Sequence, residues 1–121
     1  MTINPEEVQL PVEHNVQPKT IDLTPYLAPG RRVILGRDKG KVARLAEGLD
    51  EMDNDTPIII HTPEHVMSVN LSFLFGLLEG VGYRRGYQKF IDTVSWTGKD
   101  LSLPLLAVAQ DSRSPEWARQ S

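Results

Sequence analysis

Two successive β-α-β units constrain the fold of this chain more than any other feature of its sequence. Arg32–Gly36 is a β-branched apolar run that ends at a glycine, and Ile58–Ile60 is a continuous apolar run typical of a buried strand. Helical periodicity fills the segment between these runs and the segment after the second one. Because β-α-β connections join parallel strands by right-handed crossovers, the sequence predicts an α/β domain with helices packed on a sheet.

Two amphipathic helices are predicted from the spacing of apolar residues. The first spans Asp38–Met52. We expect Gly48 to let this helix pack closely on the sheet, since glycine otherwise weakens a helix. The second spans Ser68–Val81, with Ser68 as its N-cap, and Gly80 and Gly82 mark its end. The predicted inward face of the first helix consists of Val42, Leu45, Leu49 and Met52.

Further strands are predicted on both sides of these units. Ile21–Leu27 and Phe90–Trp96 alternate apolar and polar residues, as half-buried strands do. Leu103–Ala109 contains Pro104 and is predicted as a last edge strand. The expected architecture is therefore a single small mixed β-sheet with helices packed on it, in the order β-β-α-β-α-β-(β).

The chain divides into an arm, one domain and a tail. Residues 1–20 contain three prolines and are predicted to form an extended N-terminal arm, residues 21–110 form the α/β domain, and residues 111–121 form a polar tail. In the arm, the even spacing of Val8, Leu10, Val12 and Val16 is that of a peptide that adds to a sheet. A homo-oligomer formed through residues 1–20 is therefore one expectation.

Composition excludes several classes of function. The 121 residues include no cysteine, which rules out disulfides, cysteine-ligated metals and thiol catalysis. The net charge of −3 argues against broad binding of nucleic acid, which usually needs a basic face. Neither a secretory signal nor a membrane-spanning run is recognisable, so we expect a cytoplasmic protein that does not bind membranes.

Two short motifs resemble a known family. Gly36, Arg37, Gly40 and Leu45 open the first helical segment, and Ser72–Leu78 reads S-F-L-F-G-L-L in the second. Together with the β-α-β-α-β order over residues 21–96, they resemble the STAS-like family of small bacterial and phage domains. This resemblance implies a regulatory module that binds a protein partner, such as a kinase-like protein. STAS domains carry a phosphorylatable Ser or Thr at the start of the second helix, and an ungapped match places Asn70 at that position.

A partner-binding site is predicted around the start of the second helix. Its residues are His61, Glu64, His65, Ser68, Asn70 and Ser72. His61–His65 also spells the H-x-x-E-H pattern of a zinc protease, which needs both histidines on one helical face. Because Pro63 disfavours a helix there, we predict a loop, with no metal, no cofactor and no catalytic residue.

The turn into the first helix is the second candidate site. Its glycines and cations suggest an anion-binding turn, although the spacing is not that of a phosphate loop and Val42 follows Lys41. The candidate residues are Arg37, Lys39, Gly40, Lys41 and Arg44.

The sequence therefore predicts a non-enzymatic interaction module that binds a protein. Two alternatives stay open. One is a structural or assembly subunit of a phage or mobile element that oligomerises through its arm. The other is a nucleotide or nucleic-acid binder that uses the basic turn, near the cationic and aromatic segment Tyr83–Lys89.

Overall fold

A computed structural model describes residues 17–113 of the chain, and the predicted α/β class is confirmed. Most of the predicted arm and of the predicted tail therefore lie outside the described residues. The strands are β1 (Lys19–Asp22), β2 (Val33–Ile34), β3 (Ile58–Thr62), β4 (Ser68–Val69) and β5 (Val94–Gly98). The helices are α1 (Arg37–Ala46), α2 (Leu71–Arg85), α3 (Tyr87–Thr93) and α4 (Ser102–Arg113). Within this part of the chain, no helix is both long and apolar enough to cross a bilayer.

The strands form two small parallel sheets, so the prediction of one mixed sheet is wrong. One sheet has the order β1-β3-β5, and β2 pairs only with β4 in the other. Strand β4 was not predicted, because two residues are too few to show a period. Strand β1 ends at Asp22 instead of continuing to Leu27. The Asp22 carboxylate accepts hydrogen bonds from the backbone N–H and the hydroxyl of Thr24, at 2.9 Å and 2.7 Å, which starts a 3₁₀ turn at Thr24–Tyr26.

The core lies between one face of the three-stranded sheet and the helices. Side chains alternate along β1 and β3, so that Ile21, Ile58 and Ile60 are fully buried. Helix α2 supplies the centre of the core, with buried side chains that include Phe73, Leu74, Leu77 and Leu78. Each fully buried aliphatic or aromatic side chain of this kind stabilises the fold by about 1.5–3 kcal/mol.

The segment predicted as the last strand is helix α4. Leu101, Leu105, Val108 and Ala109 are buried at i, i+4, i+7 and i+8, which is the stripe of a helix that covers a core. The Asp100 carboxylate accepts a hydrogen bond from Ser102 N–H at 2.8 Å at the start of the helix. Pro104 lies in the first turn, where no intrahelical donor is needed, and is therefore compatible with the helix.

Glycines with positive φ also place the ends of the other helices at residues different from the predicted ones. Gly86 has φ 83° and separates α2 from α3, so Gly80 and Gly82 lie inside α2 and do not end it. The predicted strand Phe90–Trp96 consequently begins as helix, and β5 starts only at Val94. In the same way Gly48, with φ 69°, follows the end of α1, and nothing lies within 4 Å of where its Cβ would be. The expected close packing of Gly48 on the sheet is therefore wrong.

Close packing occurs instead where α1 crosses α2, at Gly40 and Gly76. A Cβ on Gly40 would lie 2.8 Å from Leu77 N and would overlap the Phe73 carbonyl oxygen. A Cβ on Gly76 would lie 3.0 Å from Lys41 N and would overlap the Arg37 carbonyl oxygen.

Of the predicted inward face, Leu49 is fully buried and Met52 packs against the core, but the crossing turns Val42 and Leu45 outward. Gly40 and Ala43 are the buried residues of α1, whereas Val42 and Leu45 are 62% and 66% exposed. The two backbones approach so closely that only small residues fit between them. The larger apolar side chains of α1 consequently lie on the opposite side.

Buried Arg85 ties the far end of α2 to its neighbours. Its guanidinium donates to Thr93 Oγ1 at 2.8 Å and to the Asp53 carbonyl oxygen at 3.0 Å. The first contact holds the junction of α3 and β5, and the second holds the loop that precedes β3. Bonds to a charged donor are among the stronger hydrogen bonds, so this residue fixes where β5 begins relative to β3.

Alanine substitutions at the crossing test its role. Gly40→Ala or Gly76→Ala should lower the free energy of unfolding by about 2 kcal/mol or more, because the added methyl meets backbone that cannot move aside. Gly80→Ala is the matched control within α2. There the nearest atoms are side-chain ends, at 3.4 Å and 3.8 Å. We expect it to be neutral or to stabilise the protein by up to about 1 kcal/mol. Urea denaturation followed by circular dichroism measures all three, and equal values for Gly40→Ala and Gly80→Ala would contradict the packing argument.

Candidate functional site

The two predicted sites lie side by side, because the short parallel strands β2 and β4 lead directly into α1 and α2. Asn70 N–H donates to the Ile34 carbonyl oxygen at 2.8 Å, and Met67 N–H donates to the Arg32 carbonyl oxygen at 2.6 Å. These bonds hold the two chain segments together just before their helices begin. The Gly40–Gly76 crossing then keeps the first turns of both helices in contact.

Asn70, and not Ser68, is the N-cap of α2. The Asn70 side-chain oxygen accepts hydrogen bonds from Ser72 N–H at 2.8 Å and from the Ser72 hydroxyl at 2.6 Å. Ser68 is exposed and belongs to β4. The prediction of Ser68 as N-cap is wrong because the helix begins three residues later than its apolar stripe indicated. Asn70 and Ser72 therefore form one hydrogen-bonded pair at the amino end of α2.

The predicted anion-binding residues do not form one cluster. Arg37 pairs with Glu79 at 3.2 Å and lies over the Phe75 ring, 5.5 Å from its centroid. Arg44 pairs with Asp50 at 3.3 Å. Gly40 is buried against α2 and donates its N–H to the Gly36 carbonyl oxygen at 3.0 Å. Arg37, Arg44 and Gly40 thus stabilise the helix pair.

Lys39 points into a different environment. With Arg31 it lines a shallow cavity of about 130 Å³ whose other walls are Ala28, Val33 and Leu35. Neither cation forms an ion pair with any residue of the described range 17–113, and Lys41 is likewise exposed without one. Within the described residues, the cations of this region without an ion pair are therefore Arg31, Arg32, Lys39 and Lys41, of which Arg31 and Lys39 line the cavity.

Exposed large apolar side chains lie on the same two chain segments that β2 and β4 pair together. Leu35 follows β2, Met67 precedes β4 and Leu71 begins α2, and all three are exposed, with Met67 at 60%. We call the set the basic-apolar surface; it consists of Arg31, Arg32, Leu35, Lys39, Met67 and Leu71. Sequence analysis missed its apolar part, because the strands that bring these residues together are only two residues long.

A row of polar groups crosses the carboxyl ends of the three-stranded sheet. His61 Nδ1 is 2.9 Å from Thr97 Oγ1, and Asp22 is the register partner of His61. The Thr24 hydroxyl and N–H hold the pKa of Asp22 below its usual value, and the nearby imidazoles of His61 and His65 contribute in the same direction. Ligands of parallel α/β sheets commonly bind at this end of the strands.

The H-x-x-E-H residues do not share a helix. His61 lies in β3, and Glu64 and His65 follow in an exposed turn. Over residues 17–113, no three His, Asp or Glu side chains are grouped as metal ligands would be. The structure therefore brings His61 and His65 near Asp22 and leaves Glu64 exposed in the turn.

A separate apolar groove lies beside β5. It encloses about 190 Å³ and is lined by Phe90, Ile91, Val94, Trp96, Ser102, Leu105 and Leu106. The sequence did not indicate it, because its helix α4 wall had been predicted as a strand. Alternation of Val94 and Trp96 in β5 was the one signal that pointed to an apolar face here.

Comparison with known proteins adds no assignment: no family model, curated protein or solved structure matches this chain. The resemblance to STAS-like domains therefore stays a prediction.

The N-cap of α2 is testable by substitution. Asn70→Ala should lower the free energy of unfolding by about 1 kcal/mol, because it removes the acceptor for the Ser72 N–H. The neighbouring Ser68→Ala should change it by less than about 0.5 kcal/mol, since that side chain is exposed and caps nothing. Thermal or urea denaturation compares the two variants. A larger loss for Ser68→Ala would restore Ser68 as the cap.

Proposed function

We propose that this protein is a regulatory or adaptor module that binds a partner protein through its basic-apolar surface. The partner contributes a segment that combines apolar and acidic side chains. The observation that carries the proposal is the exposure of Leu35 beside the cations Arg31 and Lys39, together with that of Met67 and Leu71 on the segment paired with it. The module needs no chemistry of its own for this role, and the cysteine-free composition suits a reducing compartment such as the cytoplasm.

The apolar side chains supply the binding energy in this proposal. Contiguous exposed apolar patches rimmed by polar groups are typical of protein interaction sites. Methionine and arginine are enriched at interfaces, and methionine adapts its shape to irregular partner surfaces. Met67 precedes β4 and Leu71 follows this strand. The Met67 N–H donates to the Arg32 carbonyl oxygen, so Met67 is tied to both chain segments of the patch.

The cations supply orientation and selectivity. The whole chain has a net charge of −3, so the charge of Arg31 and Lys39 is a local departure from the rest of the molecule. A local positive patch speeds encounter with acidic segments and disfavours basic ones. Glu79 and Asp50 form ion pairs with the neighbouring arginines, Arg37 and Arg44. These two arginines therefore do not add to the unpaired positive charge of the patch.

The amino end of α2 borders this surface, and its capping hydrogen bonds are formed within the chain. Asn70 accepts both hydrogen bonds from Ser72, at the position where STAS domains carry their phosphoacceptor. Binding through the basic-apolar surface accordingly requires no phosphate on this turn. His61, Glu64 and His65 lie beyond the turn and would contact only a larger partner.

Site-specific photo-crosslinking tests the proposal. Met67→benzoylphenylalanine should give a discrete adduct in an extract of the source cells. Adding Leu35→Asp or Lys39→Glu should lower its yield at least about tenfold, as loss of an interface anchor worth more than about 1.4 kcal/mol would do. The control places the same photo-reactive residue at Glu51, which is exposed in the 3₁₀ turn Leu49–Glu51. We expect no such adduct from position 51.

Three results would contradict the proposal. The first is the same adduct from positions 67 and 51. The second is a yield that Leu35→Asp and Lys39→Glu leave unchanged. The third is competition by single-stranded DNA together with a steep loss of binding as salt rises, which would indicate a polyanion as the ligand. An adduct of twice the chain mass is a second copy and is counted separately.

A further inference from the structure

Strand β5 presents an open hydrogen-bonding edge. It is the last strand in the order β1-β3-β5, and no other residue of the range 17–113 pairs with its outer side. Lys19 N–H donates to the Pro57 carbonyl and Leu23 N–H to the His61 carbonyl, so the odd-numbered residues of β3 face β1. The even-numbered residues of β3 therefore face β5. Each even-numbered residue of β3 then bonds to the two residues of β5 that precede and follow its register partner.

This pattern decides which groups of β5 are free. Ile60 is in register with Trp96, so it bonds to Ser95 and Thr97. The backbone N–H and C=O groups of Trp96 and Gly98 and the C=O of Val94 consequently point outward along the open edge, whereas the Val94 N–H donates to the Phe90 carbonyl oxygen at the end of α3. The side chains of Val94 and Trp96 belong to the helix-covered face of the sheet, where they line the apolar groove.

The edge lacks the devices that usually protect a free strand. Proteins blunt edges with charged side chains, prolines or short strands. The opposite edge strand, β1, has them: it carries Lys19 and Asp22, and Pro25 follows in the next turn. Strand β5 reads V-S-W-T-G, with neither a charge nor a proline.

We propose that β5 pairs antiparallel with β5 of a second copy, about a two-fold axis at Trp96. In this register Trp96 faces Trp96 of the other copy, and Val94 faces Gly98. All three outward-facing residues then meet outward-facing residues, and because the Val94 N–H is bonded to Phe90, this allows up to about four ladder hydrogen bonds. The two sheets form one continuous six-stranded sheet, and the helices of both copies lie on the same face.

The side chains beside the edge fit a second copy. Trp96 and Ile91 are partly exposed, and Leu103 on α4 is 76% exposed, next to Leu106. A two-fold interface brings a patch against itself, so an apolar patch meets an apolar patch. Just beyond the ladder, the same register places Lys99 opposite Thr93 of the other copy.

The competing occupant is the arm, whose residues Val8, Leu10 and Val12 have strand-like spacing. An arm strand would use the same free edge, but it contains Pro11 and brings acidic residues on both sides of the apolar positions. Strand β5 of a second copy contains no proline, and for this reason we favour the second copy as the occupant.

Light scattering over a concentration series tests the pairing in the full chain. We expect the mass of two 13.6 kDa chains for the native sequence. Leu106→Glu should raise the dimer dissociation constant at least about tenfold, because Leu106 lines the groove with Trp96 and the change brings two carboxylates into the apolar interface. Val42→Glu is the control, an exposed apolar residue on α1. It should leave the dimer unchanged. Circular dichroism confirms that both variants are folded.

Amide hydrogen exchange gives a second readout of the same interface. The amides of Trp96 and Gly98 should exchange slowly in the native dimer and at least about tenfold faster in Leu106→Glu, whereas the amides of β3 should not change. A monomer at all concentrations would overturn the proposal. So would a dimer that persists in Leu106→Glu, or one that is lost when residues 1–16 are removed, the result that identifies the arm as the occupant.

Discussion

The contact between Gly40 and Gly76 is the constraint on which the rest of this structure depends. It brings the backbones of α1 and α2 so close that neither position accepts a Cβ. Since β2 and β4 lead directly into these helices, the same contact fixes the small second sheet and the loops beside it. The basic-apolar surface is a consequence, because Leu35, Met67 and Leu71 flank the two strands that the crossing holds together.

The same contact explains where the sequence predicted well and where it did not. The apolar run Ile58–Ile60 and the all-round apolar helix α2 were predictable, because both are buried by large side chains. Helix α1 was predicted as a helix, but with the wrong side inward, because its packing face consists of glycine and alanine. Hydrophobic periodicity reports large side chains and cannot report a face made of backbone.

Other differences have equally local causes. Pro104 indicated an edge strand, yet a proline in the first turn of a helix interrupts no intrahelical hydrogen bond. The buried apolar stripe of α4 therefore decides the structure of this segment. Strands β2 and β4 have two residues each, too few for any pattern to identify their pairing. Both the basic-apolar surface and the groove beside β5 depend on these elements. The candidate residues were therefore partly predictable one by one, whereas the surfaces they form were not.

The polar row at the carboxyl ends of the large sheet bears on the choice between recognition and catalysis. A general base works best when its pKa lies near the working pH, and it needs a free lone pair. The hydroxyl and N–H of Thr24 bond to one oxygen of the Asp22 carboxylate and lower its pKa, which makes it a weaker base. His61 is hydrogen-bonded to Thr97. These polar groups thus have hydrogen-bond partners within the chain, whereas the apolar groups at the basic-apolar surface and beside β5 stay exposed. In the described residues, the groups without partners are thus mainly exposed apolar side chains and the backbone of one strand edge. This pattern is expected of a module that works by association.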